Sequence, residues 1–149
     1  MTTLHPEVAA IVSFLHARFP SKLYTHELDQ NFVTPSMYIP PAISFSGVDT
    51  VSTYQKSYTL NLKLFHKDQQ LAVQAAESLH DAVQRARMQL PLVDQHGAIT
   101  GNYVRISRID VRPGDGATAV MIFAWTSRYY YNRPEFISLQ SVIMKGGLK

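Results

Sequence analysis

The feature that most constrains the fold is an extended apolar run at positions 118–130. Apolar residues occupy both its even positions (Val120, Ile122 and Ala124) and its odd positions (Met121, Phe123 and Trp125). A strand with this pattern is typical of one that is covered on both faces. We expect two helices to be too few to provide both covers, so a neighbouring subunit is expected to supply one of them.

Periodicity predicts those two helices. The first begins near Pro6 and ends at Pro20, and its apolar residues recur at the spacing of one helical face: Val8, Ile11, Val12, Leu15 and Phe19. The second begins after Asp68, whose carboxylate suits an N-cap, and continues to about Gln89. Its apolar stripe is narrow and rich in alanine, which lets a helix lie close to a sheet.

Alternation predicts strands at residues 22–28, 42–47 and 57–64, and a C-terminal hairpin at residues 104–130 with its turn at 112–116. Within the hairpin the apolar parity changes near Ser107 and Arg108, which predicts a β-bulge. The element order α-β-β-β-α-β-β indicates an α+β domain over residues 1–131, with a mainly antiparallel sheet packed by two helices. Residues 132–149 are predicted to form a C-terminal arm with apolar anchors.

Positive charge is concentrated at one end of the chain. Residues 1–99 carry a net charge of −1 and residues 100–149 a net charge of +4. The candidate interface combines the arginines and tyrosines of this region: Arg105, Arg108, Arg112, Arg128, Tyr129, Tyr130, Tyr131 and Arg133. We expect it to meet Glu77 or Asp81 on the helix of a neighbouring subunit. A solvated surface and a nucleic-acid interface remain alternatives, since Arg and Tyr serve all three roles.

The segment between the second and third predicted strands is a second candidate. Residues Val48, Asp49, Thr50, Val51 and Ser52 connect two strands by more than a tight turn. Long hairpin loops are often functional or mobile. We expect this loop to be poorly ordered alone and to dock on a partner.

No motif for catalysis, a metal or a cofactor is found. The chain has no cysteine, and its six histidines do not follow a zinc-binding spacing. Glu27 and Asp29 share one face of a predicted strand, where a solvated pair and a general acid–base pair are both consistent with the pattern. No segment approaches the length of a membrane helix and no secretory signal is visible, so we expect a soluble domain made in the cytoplasm.

The order of elements, with a strand at residues 58–65 leading into a helix at 68–89 and a hairpin at 105–131, resembles the tail terminator proteins of long-tailed bacteriophages. That resemblance implies a non-enzymatic virion protein that forms a hexameric ring, caps the tail tube and docks to neck or connector proteins. It implies no membrane partner, and nucleic acid only as it passes through the lumen of the ring. A nucleic-acid-binding α+β domain and a small-molecule enzyme are the alternatives.

Overall fold

A computed structural model describes residues 5–25, 33–94, 96 and 98–131. These residues form a curled mixed sheet of seven strands with two helices, which confirms the α+β class. The elements in chain order are α1 (Pro6–Arg18), β1 (Lys22–Tyr24), β2 (Ser36–Tyr38), β3 (Ile43–Val48), β4 (Thr53–Phe65), α2 (Gln69–Arg85), β5 (Gln89–Val93), β6 (Ile99–Pro113) and β7 (Thr118–Tyr130).

The sheet is organised around β4 and β7, which pair antiparallel along their whole length. Its order is β1-β2-β4-β7-β6-β5, and β3 pairs with β4 on the same side as β2. Strands β2 and β3 are therefore two parts of one interrupted strand, with Pro40 and Pro41 at the interruption. Since β1 pairs only with β2, and in parallel, the outer edge of β3 has no partner strand among the described residues.

The inner face of the sheet carries the core. Leu60, Leu62, Met121, Phe123 and Trp125 are buried, and they join one cluster with the buried side chains of both helices. The other face of β7 is only half-buried along Val120, Ile122 and Ala124. Within one chain the helices thus cover a single face, as their small number led us to expect.

The predicted bulge is present, because the register of β6 against β7 shifts between Ile106 and Arg108. Ile106 lies opposite Trp125 and Ile109 lies opposite Phe123, so both point inward in spite of their odd spacing. The same extra residue aligns the arginines. Since neighbouring residues of a strand point to opposite faces, Arg105, Arg108 and Arg112 all lie on the outer face.

Several boundaries differ from those expected. Helix α2 ends at Arg85 rather than near Gln89, since Arg87 and Met88 have φ angles of 59° and 60°, which no α-helix accommodates. Strand β5, which contains Pro91, was not predicted; it is possible because a strand at the edge of a sheet tolerates a proline.

Two further differences concern β1, β2 and the hairpin of β3 and β4. Strand β2 lies in the proline-rich segment that indicated a loop or a sheet edge, and β1 ends at Tyr24. The connection between β3 and β4 is shorter than expected, since only residues 49–52 lie between the two strands.

We predict that the inner face dominates stability. Leu62 is fully buried, whereas Leu71 is exposed on α2. Leu62→Ala should lower the free energy of unfolding by about 2–5 kcal/mol, because it removes apolar contacts and leaves a cavity. The same change at Leu71 should cost less than about 1 kcal/mol. Urea denaturation of both variants measures the difference, and equal losses would contradict a core located on this face.

Candidate assembly surface

Strands β3, β4 and β7 meet at one end of the sheet, here called the hairpin tip and comprising residues 48–53 and 128–131. Two of its apolar side chains, Val48 and Val51, are almost completely exposed. The backbone N–H of Tyr131 donates to the carbonyl of Ser52 at 3.0 Å, which joins the end of β7 to the turn. The predicted docking loop therefore lies beside the predicted tyrosine cluster.

Asp49 holds the turn of the hairpin tip together. Its carboxylate accepts hydrogen bonds from the Thr53 hydroxyl and the Gln55 amide, both at 2.9 Å, and it forms an ion pair with Arg128. The hydrogen bond from Thr53, supported by Gln55 and Arg128, holds the pKa of Asp49 below its ordinary value of 3.8. These contacts join the loop to β4 and β7. They also occupy Arg128 within its own chain.

The three consecutive tyrosines divide as strand alternation requires. Tyr129 and Tyr131 both pack on Tyr54, with ring centroids 5.6 Å and 5.3 Å apart. Tyr130 points the other way and is 79% exposed. Of the three, Tyr130 is the ring most available to a partner.

Tyr129 belongs to a polar network that the sequence did not suggest. Glu7, in the first turn of α1, is 9% exposed and accepts hydrogen bonds from Trp125 Nε1 at 2.6 Å and from the Tyr129 hydroxyl at 2.9 Å. The Tyr129 hydroxyl is also 2.8 Å from that of Tyr58, whose ring stacks on Trp125. Burial, followed by these hydrogen bonds and the nearby carboxylate, raises the pKa of Tyr129 well above its ordinary value.

This network fastens the N-terminus of α1 to the sheet. A buried carboxylate is tolerated when its oxygens accept hydrogen bonds, and both oxygens of Glu7 do. The sequence alone does not identify this role of Glu7, since Trp125 and Tyr129 lie more than a hundred positions away. Tyr129 therefore has a structural role within its own chain.

The outer face of the sheet is cationic with an apolar centre. Exposed Lys63 and Arg112 flank Val120, since β7 pairs with β4 on one side and with β6 on the other. Asp110 lies 3.0 Å from Arg108 Nε and 3.7 Å from an Arg112 guanidinium nitrogen. Arg105 is exposed and makes no ion pair with any described residue.

The predicted acidic partners lie on a different surface. Glu77 and Asp81 are exposed one turn apart on α2, and the buried side of that helix packs into the core. Glu77 Oε2 is 3.8 Å from the ring of His80. The chain thus presents a cationic sheet face and an acidic helix surface that do not coincide.

Other candidates gain no support from the described residues. No group of three or more His, Asp or Glu side chains is placed to hold a metal there. An open cleft lined by Thr34, His66, Asp115 and Thr118 brings together no arrangement suited to catalysis. None of the described helices is long and apolar enough to cross a membrane. Glu27, Asp29, Arg133 and the predicted arm lie outside the described residues.

Comparison with known proteins gives two close relatives, both from Bacillus subtilis (strain 168). The chain is 43% identical over 146 residues to the phage-like element PBSX protein XkdJ and 41% identical over 146 residues to the uncharacterized protein YqbJ. Each match covers 98% of this chain and 100% of the relative. The first match confirms the relationship to phage proteins that the element order implied.

Two other comparisons add less. No family model matches the chain. A chain from the virion of a native gene transfer agent particle is similar at 12% identity and a TM-score of 0.48, covering 83% of this chain and 93% of that chain.

We predict that Glu7→Gln destabilises the fold. Glutamine has one side-chain oxygen in place of two and carries no charge, so Trp125 and Tyr129 cannot both donate to it, and the bond that remains is no longer charge-assisted. The free energy of unfolding should fall by about 1–3 kcal/mol. The control Glu77→Gln, on the exposed surface of α2, should change it by less than about 0.5 kcal/mol. Denaturation curves at neutral pH compare the two, and equal stabilities would show that the network does not anchor α1.

The raised pKa of Tyr129 also predicts a pH dependence. A group whose pKa is higher in the folded state adds stability below its unfolded value, here 10.0, and that stability is lost as pH rises above it. We expect the wild-type protein to lose stability above pH 10 more steeply than Tyr129→Phe. The control Tyr130→Phe should keep the wild-type slope, since its ring is exposed. Thermal melting across this pH range would contradict the assignment if all three slopes agreed.

Proposed function

This chain belongs to the family of the Bacillus subtilis phage-like element PBSX protein XkdJ, and we propose that it is a structural virion protein that closes the end of a phage tail tube. In this proposal it assembles as a homohexameric ring and joins the tail to the head-side connector. It acts without a catalytic site or a cofactor, and it is assembled in the host cytoplasm into the tail or neck of the particle. The observation that carries the proposal is 43% identity to a phage-element protein over nearly the whole chain.

The distribution of charge supports a head-to-tail ring. In a cyclic assembly one surface of each subunit meets a different surface of the next, so the two surfaces must be unlike and complementary. The outer sheet face, with Arg105, Arg108 and Arg112, and the α2 surface, with Glu77 and Asp81, satisfy this condition. The net positive charge of the last third of the chain agrees with this unequal distribution of charge between the two surfaces.

The apolar stripe on the outer face supports the same arrangement. Val120, Ile122 and Ala124 are half-buried in the isolated chain, although the pattern of β7 is that of a strand covered on both faces. A neighbouring subunit placed over this face would complete their burial. Interfaces of this kind have an apolar centre and a polar rim, and here arginines form the rim.

We place the contact with the tail tube or the connector at the hairpin tip. Val48 and Val51 are exposed there, while Asp49 and its partners keep the turn in one conformation. An apolar contact presented on an ordered turn loses little conformational entropy on binding.

A second candidate function is nucleic-acid binding, which the cationic outer face favours. The half-buried stripe in the middle of that face and the ion pairs of Asp110 with Arg108 and Arg112 favour a protein partner instead. The two functions differ in salt dependence, because binding to phosphates releases counterions and weakens steeply with salt.

We predict that reversing charge on either surface weakens the ring. Arg105→Glu combined with Arg108→Glu should raise the concentration at which the oligomer dissociates by at least about tenfold. Glu77→Lys combined with Asp81→Lys should do the same. All four changes in one chain should restore assembly, since every contact between subunits is then complementary again. Analytical ultracentrifugation measures each variant.

The control is Lys67→Glu, an exposed charge change that lies on neither surface. It should leave the sedimentation profile unchanged, and circular dichroism should show the same fold for all variants. An oligomer that survives both double reversals would contradict the charged contact. A wild-type chain that stays monomeric alone and on assembled tails would contradict the ring. Loss of a salt-sensitive DNA affinity, with the oligomer intact, would favour the nucleic-acid function.

A further inference from the structure

Strand β3 is an unusually exposed edge. All six of its residues are exposed, including Phe45 at 71% and Ile43 at 65%. It pairs with β4 on one side only, and no described residue pairs with its other edge. A strand in this position presents unpaired N–H and C=O groups to any extended segment that reaches it.

The devices that usually protect such an edge are missing from β3. Its sequence, ISFSGV, contains no charge and no proline. Pro40 and Pro41 precede the strand and leave its six residues free to pair. Exposed edges are ordinarily blunted by lysine, proline or a bulge, so an edge without them is suited to accepting another strand.

The chain itself contains a segment of the matching kind. Residues 136–144, FISLQSVIM, carry no charge, and six of the nine side chains are large and apolar. As a strand they would span about 30 Å, against about 20 Å for β3, so they are long enough to pair along its whole length. The segment follows Tyr131, which is joined to the turn of the hairpin tip by its bond to Ser52.

The strand spacing favours the β3 of another copy over that of the same chain. Within one chain, residues 132–135 would have to cross from β7 past β4 and β3, a distance of about 14 Å. The five Cα–Cα steps from Tyr131 to Phe136 reach at most about 18 Å in a straight line, which leaves little length for passing around residues 49–52 and reversing direction. A β3 strand in a neighbouring subunit needs no such reversal.

We propose that residues 136–144 of each copy add as a strand to the free edge of β3 in a neighbouring copy. This inference rests on the ring of the proposed function and identifies a second contact within it, separate from the charged one. Each subunit donates one segment and accepts one, which is the head-to-tail relation of a cyclic assembly. Backbone hydrogen bonds supply the pairing, and Ile43 and Phe45 supply the apolar contact.

The test uses the absence of cysteine from the chain, so that every disulfide formed is an engineered one. Ser44→Cys or Ser46→Cys in one sample is mixed, under mild oxidation, with Ser138→Cys or Ser141→Cys in another. Ser138 and Ser141 have opposite parity, so one of them shares a face with the β3 serines whichever way the segment is paired. We expect a disulfide-linked heterodimer on a non-reducing gel.

The matched control mixes the same segment variants with Ser78→Cys, which is exposed on α2 away from β3. It should form at least about tenfold less heterodimer, since disulfides need Cα atoms within about 7 Å. A chain carrying both cysteines tests whether the segment that pairs with β3 comes from the same chain or from another copy. An internal disulfide in that chain, with no heterodimer in the mixture, would overturn exchange between copies.

Truncation after Tyr131 gives an independent measurement. The buried cluster of the described residues lies entirely within the part of the chain that is kept, so we expect circular dichroism to be unchanged. We expect the concentration for dissociation of the oligomer to rise at least about tenfold. An intact ring with neither cross-linking nor sensitivity to truncation would overturn the segment exchange and leave the proposed function standing. A wild-type chain that is monomeric in every setting would remove both.

Discussion

The inner face of β7 is the surface on which the rest of the molecule packs. Met121, Phe123 and Trp125 alternate along it, and β4 and β6 place Leu60, Leu62 and Ile109 beside them at the same level. Both helices bury their apolar stripes on this one face. Each fully buried large side chain of this layer contributes roughly 1.5–3 kcal/mol of favourable free energy. Because this apolar layer lies on the inner face of the sheet, the two helices pack on that face and not on the outer one.

The Glu7 network extends that layer toward the hairpin tip. Beyond Trp125 the inner face of β7 becomes polar. There the carboxylate of Glu7 bridges Trp125 and Tyr129 by accepting a hydrogen bond from each. A buried carboxylate has a high desolvation cost, so its two hydrogen bonds constrain the angle at which α1 leaves the sheet. The same bonds keep Tyr129 inside, and they leave Tyr130 as the exposed ring of the three.

The outer face has a different character because neither of the described helices covers it. A single extra residue at the β6 bulge places Arg105 and Arg108 together on that face, and Asp110 lies close to both Arg108 and Arg112. The apolar stripe between these charges and Lys63 is left half-buried. The cationic face with its apolar centre, the acidic helix surface and the exposed edge strand are the three surfaces on which the proposed ring depends.

Local patterns in the sequence were sufficient for much of this. Period-3.6 and period-2 spacing identified both helices, five of the seven strands and the bulge at Ser107 and Arg108, since these depend on which side chains face a core. Strands β2 and β5 were not predicted, because β2 is short and β5 contains a proline. Whether such segments pair depends on the sheet around them. The contacts of Glu7, Tyr129 and Arg128 within the chain were not predicted, because their partners lie far away in the sequence or across a strand pair. The sequence by itself determined which residues are apolar and at what period. Only the tertiary structure decided which face of β7 is covered, because that depends on where two helices can pack at once.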